Sequence, residues 1–374
     1  MKFRRMQTRG ALVFALGVAA VVVAGEPRPE GGRKGGGGGG GQGRGEAKMP
    51  TPAFRTEVPA QEYDLILGRP TRDSAVLSVL CYQGREGQVA YGFAPGRLDK
   101  ITPPRRFAAG EPADVALTGL PANARVFYEF RSRRGTSGEF ERTPERSFHT
   151  ARPAGAAFTF TVQADPHLDF GTDPAVYRKS LANALAARTD FHVDLGDIFM
   201  TDKLATILPG IQLNYDAVEY RAVALRGYFE EFCHSVPFFY TLGNHEAEYR
   251  YVYEADRTTA RNSNNSSWNL LARKLYYPTP VPDAFYAGSR ETRQVAGKDE
   301  LLENYYAWEW GEALFVVLDP FGNTTQNPNS NPPDNWRWTL GRTQYDWLKR
   351  TLEGSRAKYK FLFLHHLVGG TASA

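Results

Sequence analysis

The chain has 374 residues, with 45 Lys and Arg against 41 Asp and Glu and a formal net charge of +4. A hydrophobic fraction of 42% and an aromatic fraction of 13% are ample for packed cores, which excludes global disorder and a collagen-like fibre. The first 50 residues hold nine basic and three acidic side chains, so residues 51–374 sum to −2 and the basic pI is no sign of a nucleic-acid-binding body.

In chain order, Lys2, Arg4, Arg5 and Arg9 precede an apolar run of 14 residues from Ala11 to Ala24. That is the length of a signal-peptide core and short of a membrane span. Val22 and Ala24 fit the small-residue rule for cleavage, so residues 1–24 read as a signal peptide, with an uncleaved anchor as the alternative. The protein is therefore expected to be exported, to a periplasmic or extracellular space. Residues 25–50 include seven consecutive glycines, Gly35 to Gly41, and read as a disordered Gly-rich tether. Only Cys81 and Cys233 are present, far apart, and a disulfide between them is not favoured.

Residues 55–152 read as short strands with Gly, Pro and Asn turns, among them Ala75–Cys81, Asp114–Leu120 and Arg125–Arg131. This pattern predicts a small β-sandwich. After Pro153 the pattern becomes strand–helix alternation. Strands are expected at Phe158–Ala164, Phe191–Leu195, Pro237–Leu242, Ala313–Leu318 and Lys360–Leu364, with helices at Pro174–Arg188, Tyr215–Phe232 and Thr343–Glu353. The class is α/β, over a domain of residues 155–374. Residues 247–300, rich in Asn, Arg and Tyr, are expected to be an irregular insertion above the sheet.

Polar groups stand at the carboxyl ends of the predicted buried strands: Asp165-Pro166-His167, Gly196-Asp197, Gly243-Asn244-His245-Glu246 and His365-His366. Ligands bind at that edge of open α/β sheets. Asp, His and Asn together suit Zn, Mn or Fe better than Mg or Ca. Each motif alone has a bland explanation as a strand cap or turn. Four of them in order, each on its own strand, do not. His192, inside a strand, reads as packed, and His149 and His234 as strand-end and helix-end residues. His366 reads either as a substrate contact or as a residue behind the ligands. The tryptophans of 305–347 are expected to be a hairpin packed on a second sheet.

This order of motifs resembles the calcineurin-like metallophosphoesterases, over residues 157–366. The resemblance implies an α/β/β/α sandwich that hydrolyses phosphate mono- or diesters with a water activated at two divalent or trivalent transition metals, Fe, Zn or Mn. It implies that Asp165 and His167 bind the first metal, that Asp197 bridges, and that Asn244 and His365 bind the second. It makes His245 the substrate contact and proton donor, with Glu246 or Asp202 orienting it. The stretch from Leu117 to Tyr128, with its Leu-Thr-Gly-Leu-Pro turn, is similar to the fibronectin-III-like module that precedes the catalytic domain in purple acid phosphatases and secreted alkaline phosphodiesterases.

Three features depart from the family pattern. Met200 stands where purple acid phosphatases carry a metal-binding Tyr, so no iron–tyrosinate centre is expected. Leu367 replaces the usual Pro after the strand-end histidines. The Gly-His-x-His block, which supplies one imidazole to each metal, is missing, so five of seven ligands are present and a C-terminally truncated domain is expected. The partner expected is a small phosphate ester, with no nucleic acid and no membrane beyond export. The rivals are a secreted nuclease or phosphodiesterase of the same fold and a non-catalytic exported binding protein with a vestigial metal site.

Overall fold

The computed structural model of the protein describes residues 61–168, 172–201, 214–250, 265–324, 335–337 and 339–366. The expected signal peptide and tether, the first residues of the sandwich, Asp202 and the segment after His366 lie outside these residues.

The N-terminal strands are β1 (Tyr63–Gly68), β2 (Ser74–Cys81), β3 (Arg85–Gly92), β4 (Lys100–Ile101), β5 (Arg105–Phe107), β6 (Ala113–Thr118), β7 (Arg125–Arg133), β8 (Glu141–Arg142) and β9 (Arg146–His149). One antiparallel layer runs β1-β2-β6 and the other β4-β3-β7-β8, with β5 on β3 and β9 on β7. Strand β7 shows why. Val126, Tyr128, Phe130 and Ser132 are buried while their neighbours are not, the period-2 signature of a half-buried strand. Val126, Tyr128 and Phe130 meet Leu65, Leu67, Leu77 and Val79 from the facing layer. The expected β-sandwich is there.

The α/β part begins with β10 (Phe160–Gln163), α1 (Pro174–Ala186), β11 (Phe191–Asp194), α2 (Tyr215–Cys233) and β12 (Phe238–Tyr240). The three strands pair in parallel, β10-β11-β12. Local sequence sets both helix starts. Asp173 caps α1, accepting from the Ala175 amide with Pro174 in the first turn, and Asn214 caps α2, accepting from the Ala217 amide. Next come α3 (Asn265–Tyr276), β13 (Ala287–Gly288), β14 (Thr292–Val295), β15 (Lys298–Leu301), β16 (Tyr306–Trp310), β17 (Ala313–Val317), α4 (Gly341–Gly354) and β18 (Tyr359–Phe363). The second sheet is β13-β16-β17-β18.

These elements stack as the expected α/β/β/α layers. Tyr177 and Leu181 of α1, Phe229 and Phe232 of α2, and Tyr276 of α3 share one core with Phe238 and Tyr240 of β12. Between the sheets lies an aromatic core of Phe191, Phe239, Trp308, Trp310, Phe315 and Phe363. Trp308 and Trp310 of the β16–β17 hairpin are therefore packing, as expected, whereas Trp336 is exposed and Trp347 lies on α4. Helix α4 covers the far face over Leu314, Val316 and Leu318.

Two features were not legible in the pattern. Among the described residues of 247–300, α3 and the β14–β15 hairpin are regular and packed, so this part is not an irregular insertion. Their polar composition is misleading because polar side chains are buried in pairs there. Arg273 donates from Nε to Glu248 at 2.7 Å with both groups buried, while Leu270 packs with Val295 and Leu302. Second, sandwich and α/β part share a sheet. Strand β1 pairs in parallel with β12 at Gly68 and Phe238, giving one six-stranded sheet, β10-β11-β12-β1-β2-β6. A Cβ on Gly68 would stand 2.4 Å from the Pro278 ring, so only glycine fits this seam. Helix α2 fastens it. Its buried Arg226 donates to Ser78 and to the Asp64 carbonyl, and Glu230 accepts from the Leu65 amide.

Candidate metal centre

The carboxyl ends of β10, β11 and β12 lie side by side, and the ladder continues past them as loop-to-loop hydrogen bonds. The amides of Asp165, His167 and Leu168 donate to the carbonyls of Gly196, Asp197 and Ile198 at 3.1, 3.2 and 2.9 Å. This zipper holds Asp165 and His167 beside Asp197. All three have left-handed backbones, with φ of 54°, 41° and 57°. Outside glycine such conformations cost about 1–3 kcal/mol each and cluster where function requires them.

The two glycine motifs interlock. A Cβ on Gly196 would lie 2.4 Å from the Gly243 nitrogen and 2.8 Å from a Glu246 carboxylate oxygen. A Cβ on Gly243 would lie 2.2 Å from Asp197 Oδ1. Each motif therefore needs its glycine to admit the other. The chain after Gly243 forms a single 3-10 turn, Asn244–Glu246. Its His245 amide donates to Asp197 Oδ1 at 2.7 Å. Glu246 turns back: its Oε2 accepts from the amides of Asp197, at 3.0 Å, and of Gly243.

Around the other oxygen, Asp197 Oδ2, three imidazoles converge. Nε2 of His365, His167 and His245 stand 3.2, 3.4 and 3.8 Å away. Asp165 Oδ1 lies 3.7 Å from His167 Nε2 and 3.9 Å from His365 Nε2. Two donor groups result, His167–Asp197–His245 and Asp165–Asp197–His365, each with its ligand atoms within 4.8 Å of one another and with Asp197 common to both. The side chain of Asp197 is 3% exposed and that of Asp165 52%, so the shared carboxylate is sealed and its neighbour opens to solvent.

The electrostatics are those of a cation site. Burial pushes Asp197 up, but hydrogen bonds from His167 and His365 outweigh it and hold its carboxyl well below the usual carboxylate range. Burial likewise pulls His365 down, but Asp197 reverses this and raises it to about 9. His365 Nδ1 donates to the Leu195 carbonyl at 2.9 Å, which turns Nε2 toward the carboxylates. A backbone acceptor behind an imidazole is the usual support of a metal-binding histidine. Two carboxylates and three imidazoles suit Zn, Mn or Fe.

The expected site residues Asp165, His167, Asp197, Asn244, His245 and His365 all lie at this edge, with Asp165 near both His167 and His365. In the two donor groups Asp165 falls with His365, and His167 falls with His245. His245, expected beside the metals as a proton donor, sits in a donor group. Asn244 opens the 3-10 turn one residue earlier. Glu246 holds the Asp197 and Gly243 amides, a role the sequence did not show. His192 is core: its Nδ1 pairs with Thr161 Oγ1 at 2.8 Å, and burial drops its pKa to about 3. His366 packs against Phe321, ring centroids 5.3 Å apart.

Comparison with solved structures places this architecture beside that of PhoD, with a TM-score of 0.59 at 17% identity, covering 80% of this chain and 61% of the PhoD chain. The chain shares the fold of PhoD. It spans about three-fifths of the PhoD chain it matches. Smaller overlaps cover about a quarter of this chain. They include the FN5 domain of Drosophila Lar (TM-score 0.17, 14% identity, 23% of this chain and 90% of that one) and the sensor domain of the anti-sigma factor RsgI4 in Pseudobacteroides cellulosolvens (0.19, 13%, 24% and 74%). No protein-family model and no curated protein matches the sequence. Within this fold, the motif residues occupy the carboxyl edge of the first sheet. Among the described residues no helix is long and apolar enough to cross a membrane.

Proposed function

We propose that the protein is an exported metal-dependent phosphoesterase that hydrolyses small phosphate mono- or diesters. One observation carries this: Asp197 is shared by two Asp/His donor groups on the phosphoesterase fold. A metal pair held there supplies Lewis-acid stabilisation of phosphate oxygens and lowers the pKa of a water. Asp197 is placed to bridge, Asp165 and His365 to hold one ion, and His167 with His245 or Asn244 to hold the other. The half-exposed Asp165 marks the side from which substrate enters.

His245 has two roles to choose between. As a proton donor it would protonate the leaving alkoxide. Its Nε2, 3.8 Å from Asp197 Oδ2 and grouped with His167, favours a ligand role instead. The charge of −2 over residues 51–374 does not favour long nucleic acid, which needs clustered Lys and Arg. The N-terminal apolar run supports export.

The test is hydrolysis of aryl phosphate mono- and diesters by the full chain with Zn²⁺, Mn²⁺ or Fe added, beside Asp197→Asn. Metal-dependent turnover lost in Asp197→Asn is expected. Tight metal binding without turnover points to a binding protein, and absence of both overturns the proposal.

A further inference from the structure

We propose that Glu246 is the positioning residue that locks Asp197 and the turn bearing His245 into one rigid unit. The metal consequence below rests on the phosphoesterase reading; the lock itself does not.

The lock is built from both directions. Asp197 reaches across to the turn, its Oδ1 accepting from the His245 amide at 2.7 Å. Glu246 reaches back, its Oε2 accepting from the Asp197 amide at 3.0 Å and from the Gly243 amide. Its Oε1 takes a longer contact from the Ile198 amide at 3.4 Å, and the Tyr240 hydroxyl donates to the same carboxylate. One carboxylate thus ties the end of β12, the 3-10 turn and the loop after β11. Glu246 is buried and is not in either donor group, so it acts through Asp197 rather than on a substrate. The two glycines show how tightly this unit closes: a Cβ on either Gly196 or Gly243 would come within 3 Å of the Glu246 carboxylate.

The geometry answers why Glu follows Asn-His here. A carboxylate at this place accepts from backbone amides on both sides of the interlock. It satisfies amides that β11 and β12 leave unpaired at their ends, and it sustains the left-handed turn at Asp197 that points Oδ2 at the three imidazoles. An alanine would leave those buried amides without acceptors and free Asp197 to relax. A glutamine keeps one oxygen able to accept from both Asp197 and Gly243, while its amide can donate to the Tyr240 hydroxyl.

The experiment uses the full chain as wild type, Glu246→Ala and Glu246→Gln. Amide hydrogen exchange at Asp197 and Gly243 is followed, together with Zn²⁺ binding by titration calorimetry. In Glu246→Ala both amides should exchange faster by about tenfold or more, the scale of a lost hydrogen bond to a charged group. Zn²⁺ affinity should fall by about 10–100-fold, the usual effect of removing a group that supports a ligand. Glu246→Gln should restore protection at both amides. Unchanged exchange in Glu246→Ala overturns the proposal, as does a Glu246→Gln variant as unprotected as alanine. Should the alanine variant not fold, the glutamine variant decides by the same criterion. If wild type binds no Zn²⁺ while the exchange pattern follows expectation, the lock stands and the metalloesterase reading falls.

Discussion

Two regions of this molecule bury carboxylates, and they treat them in opposite ways. At the seam between sandwich and α/β part, Asp64 and Glu230 are removed from water with little charged compensation. Burial raises Asp64 to about 6 and Glu230 to about 8. Arg226 is close and pulls both down, but its hydrogen bonds go to Ser78 and to backbone carbonyls rather than to these carboxylates, and burial outweighs it. At the sheet edge, Asp197 is buried too, yet imidazoles and an amide keep it ionised. Burial alone therefore does not mark a functional carboxylate. What distinguishes Asp197 is that its surroundings are arranged for a charge, while those of Asp64 and Glu230 tolerate a proton.

Removing the shared carboxylate is the most severe test of that contrast. Asp197→Asn should reduce metal affinity by more than the about 10–100-fold typical of a supporting residue, and abolish metal-dependent hydrolysis. Calorimetric titration with Zn²⁺ or Mn²⁺ and a phosphate ester assay would show it. Wild-type affinity in this variant would mean that Asp197 is no more than a structural cap.

His245→Ala comes next. As a proton donor, His245 would account for about 10²–10⁴-fold in turnover, with metal content per chain unchanged. A fall in bound metal would assign the ring to the His167–Asp197 donor group instead. Elemental analysis alongside kinetics separates these outcomes.

Gly243→Ala probes the interlock without replacing a ligand. The added Cβ, 2.2 Å from Asp197 Oδ1, has to displace a packed carboxylate, and overpacking of this kind costs about 1–3 kcal/mol. Denaturant unfolding should register that loss. Wild-type stability would show that the two loops are less tightly joined than they stand here.

Glu230→Gln addresses the seam, with the smallest effect. The folded-state pKa of Glu230 is raised, so between about 4.5 and 8 the folded protein holds more protons than the unfolded chain, and stability falls as pH rises through that window. Glutamine removes that slope while keeping an acceptor for the Leu65 amide. Unfolding free energies at pH 5 and pH 8 should therefore lie closer together in the variant than in wild type. An unchanged difference would place the titration elsewhere.

Much of the fold was legible because period and punctuation are local. Strand β7 alternates strictly, and α1 begins at Asp173-Pro174 as capping chemistry dictates. Residues 247–300 were not legible because α3 hides a buried Arg273–Glu248 pair behind a polar composition. Each partner reads as surface until the other is found 25 residues away in the chain. The candidate residues were likewise visible as strand-end motifs, but their grouping was not. The neighbourhood of Asp197 Oδ2 is set by loops that meet only after the sheet forms.

From sequence alone followed the fold class, the strand-end identity of Asp165, His167, Asp197, Asn244, His245 and His365, and the location of the excess positive charge in the first 50 residues. Only the tertiary structure decided that the sandwich continues the α/β sheet, that Asp197 is common to two donor groups, and that Glu246 braces the loop after β11. The reason is physical. Periodicity and capping act over a few residues, whereas contacts between loops of different strands depend on packing that places Gly196 against Gly243, 47 residues apart in the chain.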